Sequence, residues 1–492
     1  MRLVTRVRSV ARVHPGATIG SSGRAATKPL RRILVLGLPV GAILLGLVGW
    51  IVGVSRSGFW ADDFLNLTHF DGSLGNLSDS RINTGKYIIN AFWAAGTEVF
   101  GRGSVVPFLT LNSLVFAVGV ITWLRVGSRT HWSGVEAWWI AGLFIATSTW
   151  LETALWSSNI THSGGFLALG LGLLAHERCM HAETVRRTTV WSVLTGAAWT
   201  AALVSNLLYV GLLVLAAYCA VHQVLRFRGL GVAPARVAWL VGAWQLLIPV
   251  VYFVVVAYPA TITNPAYASP GSTFVARNLT FYRTRLAPSD PLIVIYAAVL
   301  LAALAGAVAA VRRRDWFPAA LVGAAGVTAV PSLVQGHQQY IHYLAMPLLL
   351  LFSAVAAGAR PVLVAESSRA RRLRSVLVVA AAVTLVGVLV QGINASSSLV
   401  ESPYGGSLAT FRGEVASLTP EGTTLCVKLA LDPAYRAGFV AEMSDEDGFL
   451  VPPINAARAV LVAPPKRCPG QPDLAQITVR INAKGDFVAA ER

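Results

Sequence analysis

The chain is dominated by long apolar runs, and these restrict it to a protein that lies in a membrane. A run of about 20 apolar residues crosses the hydrocarbon core of a bilayer as a helix, in which every backbone polar group is paired. Eleven spans fit the sequence, at 33–54, 105–124, 137–153, 163–175, two within 190–225, 237–258, 291–311, 316–334, 341–357 and 375–393. We therefore predict a polytopic α-helical membrane protein with about eleven transmembrane helices.

Composition excludes the soluble classes of protein. Only 13% of the 492 residues are charged, against about 25% in soluble domains, and 55% are hydrophobic. The formal charge of +17 would suit a nucleic-acid-binding protein, but the sequence has no zinc-finger spacing, RNA-binding signature or basic helix with interleaved aromatic residues. We therefore expect no nucleic-acid partner, and we assign the basic residues to loops on the cytoplasmic side of a membrane.

The distribution of Lys and Arg predicts the orientation of the chain. With the basic segment 1–32 in the cytoplasm and eleven spans, the cytoplasmic segments hold 24 Lys and Arg, whereas the outside loops before the tail hold 7. This is a strong positive-inside bias. We predict a multi-pass protein of the cytoplasmic membrane with its N-terminus inside and its C-terminus outside. Two outside loops, 55–104 and 259–290, are long.

The C-terminal segment differs from the rest of the chain in composition, with 9 Lys and Arg and 11 Asp and Glu. Its pattern predicts a helix over 408–418 and strands over 424–429, 459–462 and 477–481. The sequence therefore divides into a basic cytoplasmic N-terminus (1–32), a transmembrane domain (33–393) and a small extracytoplasmic α/β domain (394–492).

The tail contains two of the four cysteines, Cys426 and Cys468. An extracytoplasmic location predicts a disulfide between them, because disulfides persist in oxidising compartments. Two free thiols are the alternative. The other two cysteines, Cys179 and Cys219, fall in or beside apolar runs.

The sharpest short motif is Trp60-Ala61-Asp62-Asp63-Phe64, just after the first span. Two adjacent carboxylates between aromatic side chains raise each other's pKa. One of them can then act as a base while the other orients a hydroxyl group or holds a divalent cation. A solvated loop with a Trp anchor is the alternative. In the same loop, apolar residues recur at helical spacing over 84–100, which predicts a helix in the membrane surface.

The order of these features resembles the GT-C superfamily of integral-membrane glycosyltransferases. The resemblance rests on Asp62-Asp63 in the first outside loop, the surface helix after it, eleven spans, a long outside loop after span seven and a C-terminal outside domain. It implies an inverting transfer from a polyprenyl-phosphate-linked sugar to a cell-envelope glycan, lipid or protein. It also implies that Asp62 is the general base and that Asp63 binds the acceptor or tunes Asp62. The reaction does not require a metal, although both carboxylates could hold one.

The loop 259–290 supplies the candidates for binding the donor phosphate. Arg277, Arg283 and Arg285 are the only basic residues outside between the first loop and the tail. Arg binds phosphate through a planar fork of N–H groups and stays protonated. Binding of anionic membrane lipid headgroups is the alternative role for these residues.

Two polar groups at span ends are candidates for sugar or acceptor contact. The first, between spans nine and ten, contains His337, Gln338, Tyr340 and His342, and the second, after span three, contains Glu152 and Trp156. Sugars are bound by such hydrogen-bonding groups and by aromatic faces. The alternative for the first group is an aromatic belt at the membrane interface. The alternative for Glu152 is that its side chain snorkels to the membrane surface. The spacing of the two His residues argues against a metal site.

Two other functions compete with transfer of a sugar. A lipid or glycan transporter, or flippase, would place polar groups near the bilayer midplane, whereas the candidate charges of this chain cluster at the outside ends of spans. A non-catalytic scaffold whose tail binds a cell-wall partner would leave that outside cluster unexplained. We therefore favour the enzyme over both.

Overall fold

The fold is described by a computed structural model. It describes residues 27–56, 63, 87–230, 235–259, 272–334, 340–365, 367–400 and 405–431, and then 436, 439–440, 443, 446–451, 453–463, 466, 468–469, 474–481 and 487–491. Of the predicted site residues, Asp62, His337 and Gln338 lie outside the described residues.

Helices account for most of the described chain. In order they are α1 Thr27–Arg56, α2 Tyr87–Phe100, α3 Val106–Thr130, α4 Gly134–Ala146, α5 Thr149–Leu155, α6 Ile160–His181, α7 Val185–Ser205, α8 Leu212–Leu230, α9 Ala235–Tyr252, α10 Ser272–Leu286, α11 Asp290–Arg312, α12 Phe317–Val334, α13 Ala345–Val364, α14 Ser368–Val400 and α15 Gly405–Leu418. Short 3-10 turns at Ser157–Asn159, Leu207–Gly211 and Ile341–Leu344 precede α6, α8 and α13.

Within these ranges, eight stretches are long and apolar enough to cross a membrane, by length and composition. They lie in α1, α3, α8, α9, α11, α12, α13 and α14. The predicted multi-pass helical membrane fold is therefore confirmed. The other three predicted spans correspond to α4, α6 and α7, of 13, 22 and 21 residues, so the count of eleven stays a prediction.

The predicted span 137–153 is not one continuous helix, and this prediction was wrong in that respect. The helix α4 ends at Ala146, Ser148 has a left-handed backbone with φ of 57°, and α5 then begins at Thr149. The Thr147 hydroxyl donates to the Phe144 carbonyl at 2.7 Å, and the Ser148 hydroxyl donates to the Thr147 carbonyl at 2.6 Å. Local side-chain bonds of this kind compete with the helical ladder.

The helices pack closely where glycines face each other. A Cβ on Gly119 of α3 would collide with the backbone of Phe166 in α6, and Gly306 of α11 lies against Gly358 of α13. Small residues at such contacts let helix backbones approach, which is typical of membrane bundles. Large aromatic side chains fill the interior between these contacts, among them Trp123, Phe144, Phe166, Trp199 and Phe317.

In its described residues the tail contains a four-stranded sheet and the helix α15, in line with the predicted small α/β domain. The strands are β1 Thr424–Leu429, β2 Arg458–Val462, β3 Leu474–Ile481 and β4 Phe487–Glu491, in the order β2-β1-β3-β4. The central β1 is parallel to β2 and β3, and β4 is antiparallel to β3. The predicted Cys426–Cys468 disulfide is present, with the Cα atoms 6.0 Å apart.

The helix predicted in the first long loop is present as α2, and one of its faces is buried. Trp93 is fully buried and stacks on Phe108 of α3, with ring centroids 4.8 Å apart. Both belong to the same apolar cluster as the tail core, which includes Phe411, Leu425 and Phe439. The cluster therefore places the tail domain at the end of the bundle where α3 begins.

Candidate active site

A buried polar cluster lies at that same end of the bundle, where α5, α6 and the turn Ile341–Leu344 meet. The Glu152 carboxylate accepts two hydrogen bonds from His342, one from the backbone N–H at 2.8 Å and one from Nδ1 at 3.0 Å. Both side chains are buried, and the two residues are 190 positions apart in the chain. A carboxylate on Nδ1 fixes the ring, so that Nε2 points away from Glu152.

Buried amides fix the backbone around Glu152. The Asn112 side chain in α3 donates to the carbonyls of Thr153 at 2.8 Å and Trp156 at 3.0 Å. The Asn159 side chain donates to the Glu152 carbonyl at 3.1 Å. These bonds replace the helical pairing that is lost between α5 and α6, and they hold the segment 152–159 in one conformation.

His162 supports the cluster as a neutral ring. Its Nε2 accepts from the Asn206 amide at 3.0 Å, so the proton lies on Nδ1, which donates to the Tyr209 hydroxyl at 2.9 Å. The Tyr209 hydroxyl in turn donates to the His162 carbonyl at 3.2 Å. The His162 ring lies edge-to-face with His342, with centroids 4.4 Å apart. This network holds one side of the His342 ring in place.

Aromatic side chains enclose the His342 ring. Tyr340 stacks on it at 5.3 Å between centroids, Tyr343 meets it edge-on at 4.6 Å, and Trp156 meets it edge-on at 5.9 Å. Flat aromatic faces around a buried acid and His are suited to binding a sugar ring, which presents C–H groups on its faces and hydroxyl groups at its edges. Four of the predicted contact residues, Glu152, Trp156, Tyr340 and His342, thus converge.

Asp63 joins the first loop to this cluster. Its side chain is fully buried, and Oδ1 accepts from the Ser158 backbone N–H at 3.0 Å and from the Ser158 hydroxyl at 2.5 Å. Ser158 directly precedes Asn159, so Asp63 lies beside the Glu152 segment. Since Asp62 lies outside the described residues, the choice of base within the pair stays a prediction.

Metal binding is not indicated in the part of the chain that the structure covers. Among those residues, no group of three or more His, Cys, Asp or Glu side chains is placed to hold a metal ion. A metal held by Asp62 and Asp63 together stays a prediction.

The three predicted phosphate-binding arginines lie on α10 with exposed side chains. Arg277 stacks over Phe274, Arg285 lies over Phe281, and Arg283 is 66% exposed and 4.0 Å from Asp290. The opposite face of α10 is buried against the end of α12, because the Asn278 amide donates to the Leu333 carbonyl at 2.9 Å.

The buried face of α10 also carries Tyr282. Burial raises the pKa of the Tyr282 hydroxyl, and the nearby Glu152 charge raises that pKa further, although a hydrogen bond with Ser332 opposes both. The structure therefore buries Asn278 and Tyr282 on one face of α10 and leaves the three arginines exposed.

An apolar groove with a volume of about 680 Å³ runs between α10 and α11. Leu279, Ile293 and Tyr296 form part of its walls, and it reaches Leu344, two residues after His342. Arg283 is the one charged side chain among the described residues that line it. We call this the first groove. Its walls are therefore apolar, Arg283 lies on its surface, and one end lies near the polar cluster.

Several site residues carry no motif in the sequence. Asn112 stands alone in an apolar run, and Asn206 interrupts another. A buried amide in a membrane helix is a signal of a polar contact, but its partner is not readable from sequence. Nothing in the sequence around Ser158 or Tyr209 indicates that these residues belong to the site.

No protein-family model matches the chain. No curated protein matches its sequence significantly. The chain is similar to the crystal structure of ArnT from Cupriavidus metallidurans in the apo state, with 15% identity and a TM-score of 0.44, over 82% of this chain and 83% of that one. It is also similar to ArnT from the same organism bound to undecaprenyl phosphate, with 17% identity and a TM-score of 0.45, over 80% and 83%.

At these identities and TM-scores no residue of ArnT corresponds reliably to one of this chain. A role for any residue of this chain therefore rests on the contacts of that residue in this structure.

Proposed function

We propose that the chain is a membrane glycosyltransferase of the GT-C kind, which transfers a sugar from a polyprenyl-phosphate donor to an acceptor in the cell envelope. The observation that carries the proposal is the Glu152–His342 pair, two residues from an apolar groove that has Arg283 on its surface, with Asp63 bonded to Ser158 in the same cluster. A lipid-linked sugar has the same three parts in the same order, a hydrocarbon chain, a phosphate and a sugar.

Each part of the donor has a matching surface. The first groove accepts the end of the polyprenyl chain nearest the phosphate, since its walls are largely apolar. Arg283 binds the phosphate through its guanidinium fork, with Arg277 and Arg285 on the same helix as further cations. The sugar then lies among Trp156, Tyr340 and His342, where His342 Nε2 binds one of its hydroxyl groups.

The chemistry follows from this placement. An Asp of the pair Asp62–Asp63 accepts the proton of the acceptor hydroxyl as that oxygen attacks the anomeric carbon. The bond between the anomeric carbon and the phosphate oxygen breaks, and the polyprenyl phosphate leaves with the bonding electrons. Arg283 stabilises the negative charge of the leaving phosphate. Attack from the face opposite the phosphate inverts the anomeric configuration.

The active site faces the outside of the cytoplasmic membrane in this proposal. The bias of 24 Lys and Arg against 7 supports an inside N-terminus. The tail domain then lies outside, together with the site, because both lie at the end of the bundle where α3 begins.

The test is consumption of a defined donor. The purified protein is placed in liposomes with a cell-envelope extract as the source of acceptor and a panel of radiolabelled sugars linked to undecaprenyl phosphate, the lipid that one of the two similar structures holds. We expect one donor of the panel to release free undecaprenyl phosphate, and His342→Ala to abolish the release. Donor that crosses the bilayer intact, without release, would contradict the proposal.

The second candidate function, a lipid or glycan transporter, is favoured by one observation. A polar network lies inside the bundle about 21 Å from His162 along α6, at a rise of about 1.5 Å per residue. In it, His176 bonds Gln245 at 3.1 Å and His222 at 3.2 Å, and Gln245 donates to Ser192 at 3.3 Å. Because these groups bond one another across helices, they are typical of packing in membrane bundles, and transport ranks second.

A further inference from the structure

A second apolar groove lies at the end of the bundle opposite the active site. It has a volume of about 200 Å³ and lies between α4, α11, α13 and α14. Apart from Glu136 and Thr384, the described residues that line it are apolar or aromatic. On α13 the lining runs from Phe352 to Leu363, toward the end of that helix away from the active-site turn Ile341–Leu344. We call this the second groove.

The second groove has the depth of one bilayer leaflet. On α14 its lining runs from Leu377 to Thr384, and Arg374 lies one turn before Leu377. The rise from position 374 to position 384 is about 15 Å, at about 1.5 Å per residue. This is half of the roughly 30 Å hydrocarbon core of a bilayer. A cleft of this depth suits one hydrocarbon chain of a lipid whose headgroup lies level with Arg374.

Two arginines continue the groove-lining face of α14 to the mouth of the groove. Arg371 and Arg374 are at helical spacing with Val378 and Ala381, which line the groove. The Arg374 guanidinium donates to the Ala365 carbonyl at 2.8 Å, in the link between α13 and α14. Arg371 is exposed. The groove therefore opens beside two guanidinium groups.

Cations outnumber acids at this mouth. The segment 358–374 contains five arginines and one acid, Glu366. Glu136 lines the groove itself, but its carboxylate already accepts a hydrogen bond in the capping box at the start of α4. Arg360 donates to the Thr130 carbonyl at the end of α3 and adds a cation on the α4 side. Charge complementarity therefore favours an anionic headgroup.

We propose that the second groove holds one acyl chain of an anionic phospholipid, whose phosphate is bound by Arg371 and Arg374. Arg binds phosphate through its planar fork. A zwitterionic lipid fits less well, because its own cation opposes the attraction to the two arginines. In the proposed orientation this end of the bundle faces the cytoplasm, where the membrane surface is rich in anionic lipids.

The bound chain fills the gap between α14 and the rest of the bundle. Since α14 leads directly to α15 and the tail domain, the lipid supports the helix that joins the two parts of the chain. The inference does not rest on transfer of a sugar.

The probe is phosphatidylglycerol with a diazirine in one acyl chain, in phosphatidylcholine liposomes that contain the full-length protein. Photolabelled peptides are compared with those given by phosphatidylcholine that carries the same diazirine. Each arginine beside an anionic headgroup contributes about fivefold in binding. We therefore expect phosphatidylglycerol to label the groove-lining parts of α4, α13 and α14 about 25-fold more strongly, and the rest of the lipid-facing surface equally.

The test of the headgroup site is the double variant Arg371→Gln, Arg374→Gln. Its matched control is Arg186→Gln, Arg187→Gln, which removes two exposed arginines at the same end of the bundle from α7, a helix that does not line the groove. We expect the test variant to lose the preference for phosphatidylglycerol and the control to keep it. Arg371→Gln alone, at an exposed side chain, lowers the preference about fivefold if the double variant does not fold.

The test of the chain site is Ala381→Phe, which fills the groove. Its matched control is Val383→Phe, two positions further along α14, where the side chain is exposed and outside the groove lining. We expect Ala381→Phe to lower labelling of the groove by about tenfold, on the scale of a few lost methylene contacts, and Val383→Phe to leave it unchanged. Ala381→Leu is the smaller substitution if Ala381→Phe does not fold.

Equal labelling of the groove by the two lipids would overturn the inference and make the occupant an ordinary boundary lipid. Selective labelling that survives Arg371→Gln, Arg374→Gln would overturn it too, because the phosphate would then bind elsewhere. The labelling needs neither donor nor acceptor. A failure of the lipid site therefore leaves the proposed glycosyltransferase standing, and an absence of donor consumption leaves the lipid site standing.

Discussion

The substitution Glu152→Gln tests the role of the buried pair at the centre of the site. Glu152 accepts both the backbone N–H and Nδ1 of His342 on one carboxylate oxygen, and its side chain is only 8% exposed. Gln has the same length and can accept the same bonds, but it carries no charge. The substitution therefore keeps the packing and removes only the charge from these two hydrogen bonds.

The expected fall in kcat follows from the two hydrogen bonds to Glu152. A hydrogen bond to a charged group contributes about 1.5–3 kcal/mol, and one between neutral groups about 0.5–1.5 kcal/mol. Loss of the charge then costs about 1 kcal/mol for each bond, or about 2 kcal/mol for the pair. If this energy serves to hold His342 against the sugar in the transition state, kcat falls about 30-fold, since 1.36 kcal/mol is about a factor of ten.

The assay is release of undecaprenyl phosphate by purified protein in liposomes supplied with the acceptor extract, with donor binding measured separately. Glu136→Gln is the matched control. Glu136 is also 8% exposed and also accepts a backbone N–H, that of Ser133, but it lies at the start of α4, in a capping box. We expect this control to lower thermal stability and to leave kcat unchanged.

A Glu152→Gln protein with wild-type kcat and donor affinity would refute this reasoning. An equal loss of kcat in Glu136→Gln would assign the effect to general destabilisation instead.

Three further predictions concern the donor, the tail and the orientation. Arg283→Lys keeps the charge but loses the fork, so affinity for the polyprenyl-phosphate donor falls about tenfold in a binding assay. The control Arg313→Lys, at the residue that follows α11, leaves this affinity unchanged; equal affinities of Arg283→Lys and wild type would contradict the phosphate role. Cys426→Ser opens a link between residues 42 apart and lowers tail stability by about 2–4 kcal/mol, read by limited proteolysis against wild type; an unchanged digestion profile contradicts this. A C-terminal alkaline-phosphatase fusion is expected to be active, because the predicted C-terminus lies outside. A fluorescent C-terminal GFP fusion would instead show that the C-terminus lies in the cytoplasm.

The helical part of the fold was predictable because each membrane helix corresponds to one continuous apolar segment of the sequence. An apolar run of span length reports a membrane helix without knowledge of its neighbours. The break at Ser148 was not predictable, because it depends on hydroxyl groups that turn back onto local carbonyls. The short β4 was missed, since Phe487–Glu491 has only two large apolar residues and obtains its place by pairing with β3.

The site was predictable in outline and not in detail. The predicted order of spans assigned Glu152 and His342 to the same outside end, but their pairing depends on how α5 and the turn before α13 pack. Ser158 is an ordinary serine until the fold brings Asp63 to it. The exposure of the arginines on α10 and their proximity to a groove likewise depend on helix packing, which no single segment of sequence determines.

The most direct test of the account is the rate of sugar transfer by the Asp62→Asn, Asp63→Asn double variant, measured with donor binding on the same preparation. Asn keeps the size of Asp and can still accept the bonds that Ser158 makes to residue 63, but it cannot take the proton of the acceptor. We predict a fall of about a hundred- to ten-thousand-fold in transfer with donor affinity unchanged. Near-normal transfer by the double variant would contradict the assignment of this pair as the base.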